Sequence, residues 1–349
     1  MDTIQLLKDL SNTIGVAGFE DEIRNVLKEK IDPFVDEMRT DVLGNLIATT
    51  GTGDFRVMLD CHMDEIGFLI QHIDEEGFLR FAPIGGWDAR ILLTHGVTIV
   101  TREGAKVRGV IGAKPPHLLK EEERKKPIPI DEMFIDIGAF SRKEVEELGV
   151  QVGDPATIHY PLEKQRDVVI GKALDDRVGC AVLVKVLEKI AGHDLDLTVV
   201  ANFAIGEEVG LRGARTAAYQ IQPHIAIALE GTIGADMPGV PVHQRPTSLG
   251  KGPAITVADR SIIVNPKLIR AIEDIAKKEN IPWQYKKPIF GATDAGAIHL
   301  IRGGILTGVL SVPCRYIHSP LSLMRLDDFE NTVRLVSAFI QRVKKLKLK

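Results

Sequence analysis

In five places along the 349-residue chain a strand-like apolar run is followed closely by an acid or a histidine. His62-Met63-Asp64 follows the run 57–60, and Asp175-Asp176 follows 168–174. Glu207-Glu208 follows 201–205, Glu230 follows 225–229, and His318 comes shortly after 305–312. In an open α/β sheet, ligands collect in the crevice outside the carboxyl ends of the strands. Strands of one parallel core would therefore bring all five places together. Imidazole with carboxylate, and no thiolate, suits Zn²⁺, Co²⁺ or Mn²⁺. Five ligand groups are more than one catalytic zinc takes from a protein. They suit two ions about 3.5–4 Å apart that share a bridging carboxylate. A further carboxylate beside them is placed to act as general base on water.

Singly, each piece has an ordinary structural explanation. His-x-Asp arises by chance. Asp-Asp or Glu-Glu ahead of a helix serves as N-cap and first-turn acid. His318, before Ser319-Pro320, fits a turn. Glu230 is harder to explain in this way, because Ile225, Ala226, Ile227, Ala228 and Leu229 are all apolar. An acid closing such a run is partly desolvated, which is costly unless it is paired or holds a cation. The order of the five places and their repeated strand-end position carry the combination.

The elements that must position these groups follow from periodicity. Ile4, Leu7, Leu10 and Ile14 predict a helix over 2–14, and Phe19, Ile23, Leu27 and Ile31 predict a second. Strand-like segments follow at 45–49 and 55–60. From about 66 to 165, short β-like runs at 67–72, 78–83, 96–101, 107–111, 133–137 and 155–159 alternate with turns, which predicts a β-rich insert. The charge run 120–126 within it reads as a solvated face. From 166 the texture is α/β: helix 176–190, strand 196–205, helix 207–220, strand 225–229, helix 266–278, strand 305–312 and a terminal helix 327–348. The basic end of that last helix complements its dipole. Residues 1–65 and 166–349 thus read as one α/β domain, interrupted by the insert at 66–165.

Composition excludes several classes. Hydrophobic residues are 44% and charged residues 26%, ordinary for a globular protein and foreign to disordered, collagen-like or coiled-coil chains. Lysine plus arginine is 44 against 48 for aspartate plus glutamate, a net charge of −4, so no basic excess points to nucleic acid or an anionic membrane. Cys61, Cys180 and Cys314 are far apart with no C-x-x-C pair, which fits a reducing compartment and argues against a thiolate zinc site. No apolar run approaches the ~20 residues of a membrane span. The start lacks the basic segment and apolar core of a signal peptide. The expected location is the cytoplasm.

Four blocks then carry a resemblance: Cys61-His62-Met63-Asp64-Glu65-Ile66-Gly67, Lys172-Ala173-Leu174-Asp175-Asp176-Arg177-Val178-Gly179, Glu207-Glu208-Val209-Gly210-Leu211-Arg212-Gly213-Ala214, and Arg315-Tyr316-Ile317-His318-Ser319-Pro320. In type and order they resemble the dinuclear-metal aminopeptidases that form tetrahedral (TET) particles, the metallopeptidase family of glutamyl and leucyl aminopeptidases. The resemblance covers nearly the whole chain. Gly291-Ala292-Thr293-Asp294-Ala295 resembles a family loop near the active site.

The resemblance implies an α/β fold with a central mixed sheet flanked by helices, and a small β-barrel-like dimerisation domain at 66–165. It implies two divalent ions per subunit, zinc by default with cobalt as the alternative. Asp175 would bridge them, His62 and Glu230 completing one site and Glu208 and His318 the other. Glu207 would be general base and acid for a water activated by the two metals and attacking the first peptide bond. Asp64 would orient His62, and the 175–176 peptide would be cis. Substrates would be short peptides, and six dimers would form a hollow dodecamer with inward-facing sites. The chain departs from the family pattern in three places. Glu230 stands where many relatives have aspartate, Gly206 precedes the Glu-Glu pair where a polar residue is common, and Leu321-Ser322 replace a segment that often carries glutamate.

Other readings use the same residues. A two-metal centre also serves deblocking of N-acylated peptides or amino acids, which a requirement for a free α-amine would separate. A non-catalytic scaffold would have no reason to keep these residue types at strand ends. Glycoside hydrolysis needs two carboxylates flanking a sugar, with aromatic platforms to hold it. Aromatics are only 5% of the chain, with two tryptophans, Trp87 and Trp283.

Overall fold

The apolar runs that precede the candidate residues are strands of one sheet. The computed structural model describes residues 1–287 and 290–346. It shows an eleven-stranded mixed sheet and a closed six-stranded barrel. The chain enters the sheet through β1 (Glu37–Thr40), β2 (Leu46–Thr50) and β3 (Arg56–His62). The barrel follows as β4 (Gly67–Ile73), β5 (Leu79–Ile84), β6 (Gly96–Val100), β7 (Lys106–Gly112), β8 (Phe134–Asp136) and β9 (Pro155–Ile158). The sheet is completed by β10 (Glu163–Gln165), β11 (Val168–Gly171), β12 (Thr198–Ala204), β13 (Ile225–Ile233), β14 (Ala254–Thr256), β15 (Gln284–Lys286), β16 (Leu306–Arg315) and β17 (Ser322–Arg325). The expected fold class, a mixed sheet with helices and a small barrel, is borne out.

Strand order explains how distant residues meet. The sheet runs β1-β2-β12-β3-β13-β16-β17-β11-β10, with β14 beside β16 and β15 beside β14. β12, β3, β13 and β16 pair in parallel, so their carboxyl ends open on one edge. β17 is antiparallel to β16, and β11 is antiparallel to β17. β11 therefore runs in the same sense as the central four and delivers its carboxyl end to the same edge. The central strands are buried on both faces, which is why they read as continuous apolar runs rather than alternating ones.

Successive side chains on a strand point to opposite faces, and the two faces have separate cores. Val57, Leu59 and Cys61 pack with the helices Thr3–Asn12, Asp21–Ile31, Leu174–Ile190, Pro266–Lys278 and Leu326–Arg342. Met58 packs on the other side with Val200 of β12 and with Ala214, Ala217 and Ile298 of the helices Arg212–Ile221 and Ala295–Ile298. The barrel has its own core, built on Phe68, Ile70, Phe81, Val97, Ile99, Ile111 and Ile135.

Three local expectations change. The helix expected from 207 begins only at Arg212. Gly206, Gly210 and Leu211 all have positive φ, so residues 207–210 form a turn before it. The strand expected at 225–229 continues to Ile233 because its ladder with β16 persists to Ile233 opposite Cys314. Glu230 therefore sits within a strand, not at its end. The terminal helix is Leu326–Arg342 and is followed by a 3-10 turn at Val343–Lys345. Its expected end at 348, and the basic residues 347 and 349, lie outside the described residues. The charge run at 120–126 is exposed around a single helical turn, Glu121–Arg124. Among the described residues no helix is long and apolar enough to cross a membrane.

Candidate active site

Each candidate side chain is set by a backbone feature at the carboxyl edge of the sheet. His62 is the last residue of β3. Asp175 and Asp176 head the helix Leu174–Ile190 in non-helical conformations, and the peptide bond between them is cis, as the resemblance implies. The Asp176 carboxylate accepts N–H groups from Gly179 at 2.9 Å, Gly231 at 2.8 Å and His62 at 3.3 Å, which ties the helix start to β3 and β13. This is the N-cap arrangement foreseen for Asp-Asp, used here to fix its neighbour Asp175. Position 179 has to be glycine: a Cβ there would lie 2.3 Å from the Asp176 carboxylate and 2.5 Å from the Leu229 carbonyl.

Glu207 and Glu208 occupy the turn after β12, and their backbone N–H groups donate to the two carboxylate oxygens of Asp64 at 3.0 and 3.2 Å. The oxygen of Asp64 nearest His62 Nδ1 is its backbone carbonyl at 3.2 Å, with the carboxylate at 3.5 Å. Asp64 thus clamps the Glu-Glu turn as well as flanking the imidazole. His318 follows β16 with φ +56, and its Nδ1 lies 3.2 Å from the carbonyl of Gly86 at the barrel margin.

Six of the seven predicted residues meet in one cluster. His62 Nε2 lies 3.3 Å from Asp175, 3.8 Å from Glu230 and 3.9 Å from Glu207. His318 Nε2 lies 3.4 Å from the other Asp175 oxygen and 3.5 Å from Glu208. Asp175 therefore stands between the two imidazoles. The sets His62–Asp175–Glu230 and Asp175–Glu208–His318 each place their donor atoms within 4.8 Å of one another. The seventh, Asp64, is buried behind the cluster.

The electrostatics are those of an acid excess. Burial pushes Glu207 up to about 7, and Asp175 and Asp64 add to the shift. Burial pushes Glu208 up to about 8, helped by Asp175. Burial and Asp176 push Glu230 well above the usual range. Burial also acts on Asp175, but hydrogen bonding to His318 and His62 holds it below that range. His318 is raised to about 9: burial alone would lower it, and Asp175 outweighs burial. Among the described residues none of these four acids is paired with a lysine or arginine, and Glu230 Oε1 is buried without a hydrogen-bond partner. Buried carboxylates in this state call for a cation, and the mixed imidazole and carboxylate donors fit divalent metal.

Two neighbouring clusters had no role in the sequence reading, although Glu65, Lys172, Arg177 and Asp294 stand inside the quoted motifs. Glu65 is 2% exposed and takes Lys172 Nζ at 2.6 Å, Arg177 at 3.4 Å, Gly15 N–H at 3.0 Å and Thr157 Oγ1 at 2.9 Å. It joins the N-terminal segment, the barrel and the head of the long helix directly behind the site. Asp60 and Asp294 are both buried acids, with Asn202 Nδ2 donating to Asp60 at 2.6 Å. Burial pushes both above the usual range, Asp60 to about 7. Among the described residues neither oxygen of Asp294 has a hydrogen-bond partner. Cys61 and Cys180, remote in sequence, lie 3.6 Å apart as buried thiols.

The cluster forms part of the wall of a cavity of about 580 Å³. Leu211, Met237, Phe290, Tyr316 and Ile317 form apolar wall, and Lys286 also lines it.

Known proteins share this fold. The family model described as M42 glutamyl aminopeptidase matches residues 44–335. A TET aminopeptidase from the marine sediment archaeon Thaumarchaeota archaeon SCGC AB-539-E09 superposes with TM-score 0.95 at 40% identity, covering 98% of this chain and 96% of that one. The Pyrococcus horikoshii TET1 peptidase, described as able to assemble into a tetrahedron or a large octahedral shell, superposes with TM-score 0.87 at 36% identity, covering 97% and 99%. A lysyl aminopeptidase of Pyrococcus furiosus is 35% identical over 97% of each chain.

Proposed function

The chain belongs to the M42 glutamyl aminopeptidase family and is an aminopeptidase; from that premise we propose that it removes N-terminal residues from short peptides at the acid and histidine cluster, with Glu207 as general base and acid. His62 and Glu230 would hold one divalent ion and Glu208 and His318 a second, with Asp175 serving both. Zinc is the default ion and cobalt the alternative. When bound, the ions supply Lewis acidity to the carbonyl of the first peptide bond.

The observation that carries this reading is Asp175 lying 3.3 and 3.4 Å from two imidazoles, inside a set of acids that no lysine or arginine balances. The chain's own groups do the rest. Glu207 accepts a proton from the attacking water and returns it to the leaving amine. Its elevation to about 7 suits a group that must do both near neutral pH. Asp64 holds the Glu207 and Glu208 backbone N–H groups, and so fixes where the base stands. The acid excess attracts the substrate's free α-amine, which places the scissile bond one residue from the N-terminus.

We assign residues 1–65 and 166–349 to the catalytic domain and 66–165 to an inserted dimerisation domain. Large apolar residues exposed on the barrel, Phe140 (84%), Val110, Leu148 and Val152, support an interface there. Six dimers would enclose the sites in a tetrahedral dodecamer, and light scattering of the purified protein tests that mass. The three free, buried thiols suit the cytoplasm.

The deciding experiment is hydrolysis of free-amine aminoacyl-p-nitroanilides with and without Zn²⁺ or Co²⁺, beside Glu207→Gln. Metal-dependent cleavage that vanishes in the variant supports the assignment. A metal-loaded protein that cleaves only N-acylated substrates overturns it.

A further inference from the structure

Three buried cations lie close to the cavity or line it, and two of them are matched. Lys172 and Arg177 both meet Glu65. Lys286, at the end of β15, is the exception. It is 6% exposed, it lines the cavity, and among the described residues no acceptor or carboxylate pairs with its ammonium. Its stem is buried while its Nζ is not fully enclosed, so the ammonium keeps its open face toward the cavity, with no acceptor among the described residues holding it. An anion arriving in the substrate cavity supplies the missing acceptor.

Lys286 is also the one lysine or arginine among the described residues lining that cavity. The other charged or titratable groups there are Asp175, Glu207, Glu208, Glu230, the two histidines and Tyr316. The cavity is therefore dipolar, with an acid-rich part that suits the α-amine and a single cation elsewhere on the wall. Lys286 shares its wall with Phe290, Gly291, Ala292 and Thr293, beside which a substrate side chain would lie.

We propose that Lys286 is the specificity-determining residue of the cavity, its ammonium receiving the side-chain carboxylate of an acidic N-terminal residue, Glu or Asp. The assignment rests on the aminopeptidase reading above. Family membership does not set this preference, because the family model carries a glutamyl name and the Pyrococcus furiosus relative a lysyl one. An N-terminal lysine would put a second ammonium against Lys286.

The test uses the metal-loaded enzyme and Glu-, Gln-, Leu- and Lys-p-nitroanilides. Glutamine is the neutral isostere of glutamate, and the anilides carry no terminal carboxylate. The expected kcat/KM ratio of Glu over Gln is about 10- to 100-fold, the range of a hydrogen bond to a charged group. Lys286→Met should bring that ratio close to one, Lys286→Arg should keep most of it, and Lys286→Glu should favour Lys over Gln. A wild-type ratio near one, or one that Lys286→Met leaves intact, overturns the proposal. So does a dependence on the peptide's C-terminal carboxylate, read as Leu-Leu cleaved far better than Leu-Leu-amide with no Glu over Gln preference. The wild-type ratio decides even if a variant fails to fold. Cleavage of neutral or lysyl anilides as efficiently as glutamyl ones sinks only the role of Lys286. Cleavage of no free-amine substrate sinks the aminopeptidase reading itself.

Discussion

Two buried charge clusters sit back to back in this protein. Behind the site, Glu65 is a single acid between Lys172 and Arg177, with Gly15 N–H and the Thr157 hydroxyl on its remaining lone pairs. In the site, four acids share two imidazoles and, among the described residues, no lysine or arginine. Both clusters are desolvated, so burial alone does not tell structure from function. Opposite-charge pairing does. The Glu65 carboxylate meets two cations and two further donors as folded, whereas among the described residues the site's acids meet no lysine or arginine and Glu230 Oε1 has no hydrogen-bond partner.

The largest effect should come from the side where balance is missing. Glu207→Gln removes the proton carrier while keeping size and the Asp64 clamp, which acts on the backbone. We expect activity to fall about 10²- to 10⁴-fold, the usual worth of general acid–base catalysis, with metal content by elemental analysis and thermal midpoint little changed. A variant that lost metal along with activity would show Glu207 to be a ligand instead.

Paired substitutions then test the contrast itself. Glu65→Leu leaves Lys172 and Arg177 buried without their counter-charge and should cost about 3–5 kcal/mol in urea unfolding, with or without metal. Glu230→Gln removes one charge from the unbalanced cluster. The metal-free protein should then be no less stable than the metal-free parent, while the stabilisation on adding Zn²⁺ shrinks. Equal losses from both substitutions in the metal-free state would erase the distinction.

How much of this was legible in the sequence divides along the same line. The acids and histidines of the site were readable because each follows an apolar run, and parallel strands put such positions near one edge. The central strands and long helices were readable from burial and period. The short strands β1, β10, β14, β15 and β17 were not, being three or four residues long, too short for a period to show. The turn at 207–210 was missed because Val209, Leu211 and the alanines after them suit a helix, whereas Gly206 and Gly210 take positive φ. Glu65, Lys172 and Arg177 stood inside quoted motifs, yet their pairing spans more than a hundred residues. Only the fold reveals it, and the same holds for Lys286, whose meaning comes from having no partner.

A pH series separates the clusters without mutation. In metal-free protein Glu207 and Glu208 are raised from 4.5 to about 7 and about 8, and His318 from 6.5 to about 9. Groups raised on folding contribute stability that is full below their unfolded values and is lost as pH climbs through the folded ones. Asp175, which is lowered, acts only at acid pH, below the usual carboxylate range. The thermal midpoint of metal-free protein should therefore fall between about pH 5 and 9. The increment gained on adding Zn²⁺ should grow over the same range, because the ion replaces protons the acids no longer hold. An increment independent of pH would mean that ion binding is not coupled to this cluster.

The smallest effect tests how the balanced cluster joins the barrel to the sheet. Thr157 lies in β9, and its hydroxyl donates to Glu65 Oε2 at 2.9 Å, the same oxygen that takes Lys172 at 2.6 Å. Thr157→Val keeps shape and burial but removes that one donor. Lys172 continues to satisfy the oxygen, so the loss should be about 1–2 kcal/mol in urea unfolding. The Zn²⁺ increment and kcat/KM should stay as in the parent, because Glu65 keeps both cations and touches no site ligand. A drop in activity alongside this small loss of stability would show that the barrel positions the site through Glu65, and the two clusters would then have to be treated as one.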